Sequence, residues 1–236
     1  MRMDWKTTRQ TLMIDADDTL WENNIYFERA IAEFVSFLNH SHFTAAQVRQ
    51  TLNQVEHEVI VKMGYGLNSF TSALVGTFER LSVEPLTPAL HETIHGFAKA
   101  IAEQPIELLK HVGPTLEALR SRHRLMLVTK GNFKEQSGKV ERSGLKPFFE
   151  GVEVVPEKDT ACYNAIVEKY RLERGTTWMV GNSPKSDINP AIAAGLNAVF
   201  IPHRDTWVLE HAEICTAPPP QQLLTLENFQ LLNENF

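Results

Sequence analysis

The sequence predicts an α/β fold in which a doubly wound parallel sheet carries an inserted, all-helical domain. After residue 105, short apolar segments with the length of buried strands alternate with helical segments. A further apolar segment of this kind, Thr11–Ile14, stands alone near the start of the chain. Between them, residues 24–103 show helical periodicity and almost no strand signal. We therefore expect residues 1–22 and 104–236 to form the α/β domain and residues 23–103 the insertion.

Composition and charge narrow the class of protein. The chain has 236 residues, 43% of them hydrophobic, which is enough for a sizeable core. Its formal charge of −6 argues against nucleic-acid binding through a basic surface. The two cysteines, Cys162 and Cys215, suggest neither a disulfide framework nor a zinc cluster. No apolar run is long enough to span a bilayer, and residues 1–10 lack an apolar signal core. We expect a cytoplasmic monomer or homodimer with no membrane partner.

The first strand ends in two carboxylates. Thr11–Ile14 is apolar, and the residues that follow it include Asp15 and Asp17. Side chains at positions i and i+2 of a strand point the same way, so both carboxylates should project from its carboxyl end. In open parallel sheets this end is the ligand-binding edge. Two like charges this close cost energy unless a cation offsets them, and Mg²⁺ prefers such oxygen ligands.

Apolar stripes at helical spacing predict four helices in the insertion. The stripes contain Ile31, Phe34, Val35 and Leu38; Val48, Leu52, Val55 and Val59; Phe70, Leu74 and Phe78; and a last helix over Leu90–Ala102. Met63–Gly66 lies between the second and third stripes and is typical of a turn.

Strands and helices alternate through the rest of the chain. The predicted strands are 125–129, 151–155, 177–180 and 198–201, and the predicted helices begin near Pro114 and cover 133–143, 160–170 and 187–194. Gly144 and Gly195 follow two of these helices, where glycine commonly ends a helix. This alternation is typical of a parallel sheet with helices on both faces.

Polar residues follow four of the predicted strands. They are Asp15 and Asp17, then Thr129 and Lys130, then Lys158, and finally the segment from Gly181 to Asp187. Because parallel strands end at one edge of a sheet, these groups should meet there.

These segments resemble the four motifs of the haloacid dehalogenase-like (HAD) superfamily. Asp15-x-Asp17-x-Thr19 is similar to the first motif, Thr129 to the second, Lys158 to the third and Gly181–Asp187 to the fourth. The helical insertion is similar in position to the cap that this family inserts after its first motif. The resemblance implies a Rossmann-like core and a Mg²⁺-dependent phosphatase acting on a small phosphorylated metabolite, such as a sugar phosphate or a nucleotide.

The resemblance also implies a role for each of the two aspartates. Asp15 would attack phosphorus and form an aspartyl-phosphate. Asp17 would protonate the leaving oxygen and then activate water. A proton donor needs a raised pKa, and we expect nearby carboxylates to raise the pKa of Asp17. A phosphotransferase using the same intermediate remains open. The presence of Asp17 argues against a halide-removing enzyme, which needs no acid for its leaving group.

The remaining motif residues would hold the phosphoryl group and the metal. Thr129, the amide of Lys130 and Lys158 would bind the phosphoryl oxygens, whereas the Lys130 side chain should be an ordinary surface lysine. The metal ligands would be Asp15, the backbone carbonyl of Asp17, Asn182 and Asp187. Asn182 departs from the family pattern, which commonly has aspartate there, so we expect weaker metal binding that Asp187 partly offsets.

Two other functions are compatible with the sequence. Asn182 is compatible with a protein of the same fold that binds a phosphate ligand without catalysing its turnover. The segment His91–His95 matches the H-E-x-x-H pattern of zinc hydrolases, although paired surface histidines are the default interpretation. In the insertion, Tyr65 and Asn68 are candidate substrate contacts, and residues 21–24 and 103–105 are candidate hinges.

Overall fold

The structure is a computed structural model that describes residues 8–38 and 42–236. The sequence shows no signal core in residues 1–10, and residues 1–7 of this segment lie outside the described residues. The chain divides into two compact units, one formed by the residues up to Glu22 with Ile106–Phe236 and the other by Asn23–Pro105. Among the described residues, no helix combines the length and the apolar character that crossing a bilayer requires.

The first unit has the predicted α/β architecture. Its strands are β1 (Thr11–Ile14), β2 (Arg124–Lys130), β3 (Gly151–Val155), β4 (Thr177–Gly181), β5 (Asn197–Phe200) and β6 (Leu223–Thr225). They pair in the order β3-β2-β1-β4-β5-β6, and every neighbouring pair is parallel. The fold class predicted from the sequence is therefore confirmed.

Helices α1 to α4 belong to the second unit and helices α5 to α9 to the first. Their bounds are α1 (Asn24–Phe37), α2 (Ala45–Met63), α3 (Leu67–Leu81), α4 (Pro88–Ala102), α5 (Val112–Arg120), α6 (Phe133–Ser143), α7 (Thr160–Tyr170), α8 (Asn189–Ala193) and α9 (Leu232–Asn235). The predicted stripes of α1, α2 and α3 form the core of the helical unit, together with Ile94 and Ala98 of α4.

The central strand explains why the site forms where it does. Leu12 and Ile14 pack in the core on one face of the sheet, and Met13 packs with α7 in the core on the other face. Strand β1 lies between β2 and β4, so the chain builds the sheet first on one side of β1 and then on the other. The carboxyl ends of β1 and β4 therefore form a topological switch point, where ligands bind in such sheets.

Strand β6, helix α9 and the helix predicted after β4 differ from the sequence-based expectation. Strand β6 was not predicted, because it has only three residues and follows a proline-rich segment. The predicted helix 187–194 is instead a π-helical turn, Pro184–Ile188, followed by the short helix α8. In this turn the Ser183 carbonyl accepts hydrogen bonds from the amides of both Asp187 and Ile188. Single π turns of this kind are frequent at functional sites.

Candidate active site

Asp15 is the first residue beyond β1 and lies at the switch point. Its amide donates to the carbonyl of Val180 on β4 at 2.9 Å, so the sheet itself fixes its backbone. The side chain is buried. One carboxylate oxygen accepts a hydrogen bond from the Lys158 ammonium, and the other accepts one from the Thr19 hydroxyl at 2.9 Å. Both carboxylate oxygens of Asp15 are therefore held. Lys158 lies far from Asp15 in the sequence, whereas Thr19 lies four residues after it.

Lys158 bridges Asp15 and Asp187. Its ammonium lies 2.8 Å from Asp187 Oδ1, and all three residues are buried. Burial raises the pKa of Asp15 to about 7, against the opposing effect of Lys158. Burial lowers the pKa of Lys158, but the two carboxylates outweigh it and raise that pKa above its ordinary value. With both carboxylates ionised, one ammonium leaves the cluster with a net negative charge.

Gly181 lets Asp187 reach this cluster. The other Asp187 oxygen, Oδ2, accepts a hydrogen bond from the Ser183 amide at 2.9 Å. A Cβ atom on Gly181 would lie 2.2 Å from the same oxygen and 2.4 Å from Asp187 Cγ. Such distances are far inside van der Waals contact, so only glycine fits at the end of β4.

Replacing Gly181 with alanine is expected to displace the Asp187 carboxylate. This should lower the phosphatase activity that the sequence predicts by about 100-fold, because a displacement of about 1 Å at a reacting site has a cost of that size. Gly138→Ala is the matched control, because a Cβ at that helix position meets nothing within 4 Å. Turnover of an aryl phosphate by both variants, measured beside thermal unfolding, tests this. Wild-type turnover in Gly181→Ala would contradict the assigned geometry.

Asn182 presents its amide oxygen to the Thr19 hydroxyl, which also binds Asp15. The Thr206 hydroxyl donates to the carbonyl of His203 at 2.9 Å, so it accepts from Asn182 Nδ2, 3.0 Å away. This arrangement orients the amide and turns Oδ1 toward the Thr19 hydroxyl, 3.3 Å away. Because the same hydroxyl also binds Asp15, the oxygens of Asn182 and Asp15 face one small region. Thr206 could not be identified from the sequence, because it lies beyond the recognised motifs.

Asp17 lies in a different environment from the one predicted. Its carboxylate accepts hydrogen bonds from Trp21 at 2.7 Å, from Gln136 at 2.8 Å and from the Lys139 ammonium at 2.9 Å. Burial raises the pKa of Asp17, but Lys139 and the neutral donors outweigh it, and the pKa lies below its ordinary value. The expectation that carboxylates would raise this pKa was wrong, because α6 contributes a cation that the motif pattern does not contain.

Thr129 and Lys130 end β2. Thr129 is buried and lies two residues beyond Leu127, the residue that pairs with Ile14 of β1. The Lys130 side chain is 11% exposed and contacts Glu210 at 2.6 Å, Ser186 at 2.8 Å and Glu157 at 3.3 Å. It is therefore not the surface lysine expected from the sequence, since Glu210 supplies a buried counter-charge from a distant segment.

The donor set at this edge fits a hard divalent cation. The carboxylates of Asp15 and Asp187 and the amide oxygen of Asn182 are buried oxygen ligands, the type that Mg²⁺ prefers. With both carboxylates ionised, the Lys158 ammonium compensates only one of their two negative charges. A bound dication would offset the other.

In the described part of the chain, the H-E-x-x-H segment does not have a comparable set of buried metal ligands around it. His91 and His95 lie on α4 with ring centroids 4.2 Å apart, and both side chains are exposed. Within residues 8–38 and 42–236, no third potential metal ligand lies close to these two histidines. In the same residues, three potential metal ligands do lie close together at Asp18, Glu22 and His203. Tyr65 and Asn68 lie next to and within the first turn of α3, and their role as substrate contacts stays a prediction.

Comparison with known proteins identifies relatives of this chain. A model of the haloacid dehalogenase-like hydrolase family matches residues 10–195. The chain is 30% identical to pyrimidine 5'-nucleotidase YjjG from Escherichia coli K12, over 85% of this chain and 87% of that protein. It is 25% identical to 5-amino-6-(5-phospho-D-ribitylamino)uracil phosphatase YigB from the same organism, over 86% and 91%. A solved haloacid dehalogenase-like hydrolase from Xanthomonas campestris superimposes with a TM-score of 0.81 at 25% identity, covering 97% of this chain and 94% of its own.

Proposed function

The chain belongs to the haloacid dehalogenase-like hydrolase family, and on that premise we propose that it is a Mg²⁺-dependent phosphatase. Its substrate is a small phosphorylated metabolite, and the phosphoryl group passes through Asp15. The observation that carries this proposal is the buried Asp15 carboxylate, which lies at the switch point between the Lys158 ammonium and the Thr19 hydroxyl. A nucleophile fixed in this way needs no reorientation before it reacts.

In the first step, an oxygen of Asp15 attacks phosphorus while the bond from phosphorus to the ester oxygen breaks. Asp17, which carries the proton that it took from water in the preceding turnover, gives that proton to the leaving oxygen. In the second step, water attacks the phosphorus of the aspartyl-phosphate, Asp17 takes a proton from the water, and the bond to Asp15 breaks. Asp17 is ionised while it is paired with Lys139, so the arrangement in the structure suits the second step.

Positive charge and hydrogen-bond donors stabilise the phosphoryl group during both steps. Lys158 supplies an ammonium beside Asp15, and the Thr129 hydroxyl and Lys130 amide supply donors at the end of β2. Asp15, Asn182, Asp187 and the carbonyl of Asp17 would hold a Mg²⁺ ion, which would supply the remaining positive charge. The presence of an acid at position 17 favours a phosphoester over a halide as the bond that breaks.

The substrate class follows from the relatives named above. YjjG is named for pyrimidine nucleotides and YigB for a uracil that carries a phosphorylated ribityl chain. Both names describe a pyrimidine ring joined through a sugar-derived chain to a phosphate. We therefore assign this chain to phosphate esters of that kind, within the nucleotide class expected from the sequence.

A panel of phosphate esters tests the proposal. We expect release of inorganic phosphate from a pyrimidine 5'-nucleotide in the presence of Mg²⁺, and its loss when EDTA removes the metal. Restoring Mg²⁺ in excess should restore the rate, whereas excess Ca²⁺ should not, because its larger and more flexible coordination suits the site less well. A chain that is stabilised by these esters yet releases phosphate from none of them would be a binding module, and the phosphatase proposal would be wrong.

A further inference from the structure

A buried carboxylate outside the four motifs lies against the turn that carries the metal ligands. Glu210 follows β5 in sequence and is 8% exposed. One of its carboxylate oxygens lies 2.6 Å from the Lys130 ammonium, and the other accepts a hydrogen bond from the Ser183 hydroxyl at 2.5 Å. Burial raises the pKa of Glu210, but Lys130 and the hydroxyl donors outweigh it and keep this pKa below its ordinary value. Glu210 is thus an ionised bridge from the end of β2 to the turn after β4.

Ser183 links this bridge to Asp187. Because its hydroxyl proton is given to Glu210, the hydroxyl oxygen is oriented to accept a hydrogen bond from the Ser186 amide at 2.9 Å. The Ser183 backbone contacts Asp187 twice: its amide donates to Asp187 Oδ2, and its carbonyl accepts from the Asp187 amide, both at 2.9 Å. The Asp187 carboxylate then reaches Lys158 at 2.8 Å.

Other contacts attach the same segment to the same turn. Thr206 accepts from the Asn182 side chain, and the carbonyl of Leu209 accepts from the Lys185 ammonium at 3.0 Å. Residues 206–210 therefore hold this segment at Asn182, Ser183 and Lys185, and Glu210 is the charged member of the set.

We propose that Glu210 is a positioning residue, which fixes Ser183 and through it sets the Asp187 carboxylate for metal binding. This inference rests on the proposed metal site at Asp15, Asn182 and Asp187. Residues that orient metal ligands in this way, without touching the metal, commonly change metal affinity by about 10- to 100-fold when they are replaced.

Direct Mg²⁺ binding, measured by calorimetry on the full chain without substrate, tests the proposal. Glu210→Gln should raise the dissociation constant for Mg²⁺ by about 10- to 100-fold. Ser183→Ala should raise it by a similar factor, and the double variant should be no weaker than the poorer single variant, because both changes break one path. Glu157→Gln is the matched control: it removes a second carboxylate from Lys130 but none from Ser183, so it should bind Mg²⁺ as the wild type does.

Wild-type Mg²⁺ affinity in Glu210→Gln, or effects of Glu210→Gln and Ser183→Ala that multiply in the double variant, would overturn the positioning role. If Glu210→Gln fails to fold, the affinity of Ser183→Ala decides: a wild-type value overturns the role, and a weakened value supports it. Absence of Mg²⁺ binding by the unmodified chain would instead contradict the metal site proposed above. The two proposals therefore fail through different results.

Discussion

Replacing Asp15 with asparagine is expected to lower turnover of an aryl phosphate by at least about 10⁴-fold, the scale seen when a catalytic nucleophile is removed. The amide cannot form the acyl-phosphate, although it occupies the same space. We expect the fold to survive, because burial already raises the pKa of Asp15 to about 7. Asparagine keeps an oxygen that can accept from the Lys158 ammonium, and Asp187 remains as the counter-charge of that ammonium.

The matched control for this change is Asp159→Asn. Asp159 is an exposed N-cap whose side chain accepts from the Cys162 amide at the start of α7, and asparagine caps helices equally well. We expect its turnover and thermal unfolding to equal those of the wild type. Substantial phosphate release by Asp15→Asn, at normal stability, would exclude Asp15 as the nucleophile.

Replacing Lys158 with methionine is expected to remove both activity and much stability. The ammonium is the cation that bridges the buried carboxylates of Asp15 and Asp187, which would then face each other without it. Removing one partner of a buried ion pair costs about 3–5 kcal/mol, because the remaining charge is left uncompensated. Lys169→Met is the control, since Lys169 forms an ion pair with Glu153 at 2.7 Å but is exposed, and its loss should change stability little.

The pH dependence of the stability lost in Lys158→Met distinguishes an effect of charge from an effect of packing. Folding raises the pKa of such a buried carboxyl group. The group therefore destabilises the folded state as the pH rises above its pKa in the unfolded chain, and the destabilisation disappears as the pH falls. Without Lys158 the pKa of Asp15 should rise above about 7, because the ammonium opposes the effect of burial. The stability difference between Lys158→Met and the wild type should therefore shrink between about pH 8 and pH 5. A difference independent of pH would indicate lost packing instead.

The parts of the site that lie on strands could be predicted from the sequence. The apolar segment Thr11–Ile14 predicted β1, and the i, i+2 spacing identified Asp15 and Asp17 as residues at its end. Parallel topology then predicted that Lys158 and Asp187 would lie near Asp15, and the structure brings these three together. Local periodicity and sheet geometry were sufficient for these inferences.

The environment of each charge could not be predicted in the same way. The pKa of Asp17 depends on Lys139 of α6, and the burial of Lys130 depends on Glu210, which lies 80 residues further along the chain. No spacing rule links these pairs, because they meet only through the packing of the complete unit. The π-helical turn after Ser183 was likewise missed, since Pro184 and the polar residues after it fit a short helix equally well.

The most direct test of the central claim is to stop turnover of a radiolabelled phosphate ester with acid and locate the label. The account predicts that the label is attached to Asp15, that hydroxylamine releases it, and that it is absent from Asp15→Asn. Label on any other residue, or a phosphatase that turns over without labelling the chain under conditions that preserve an acyl-phosphate, would contradict it.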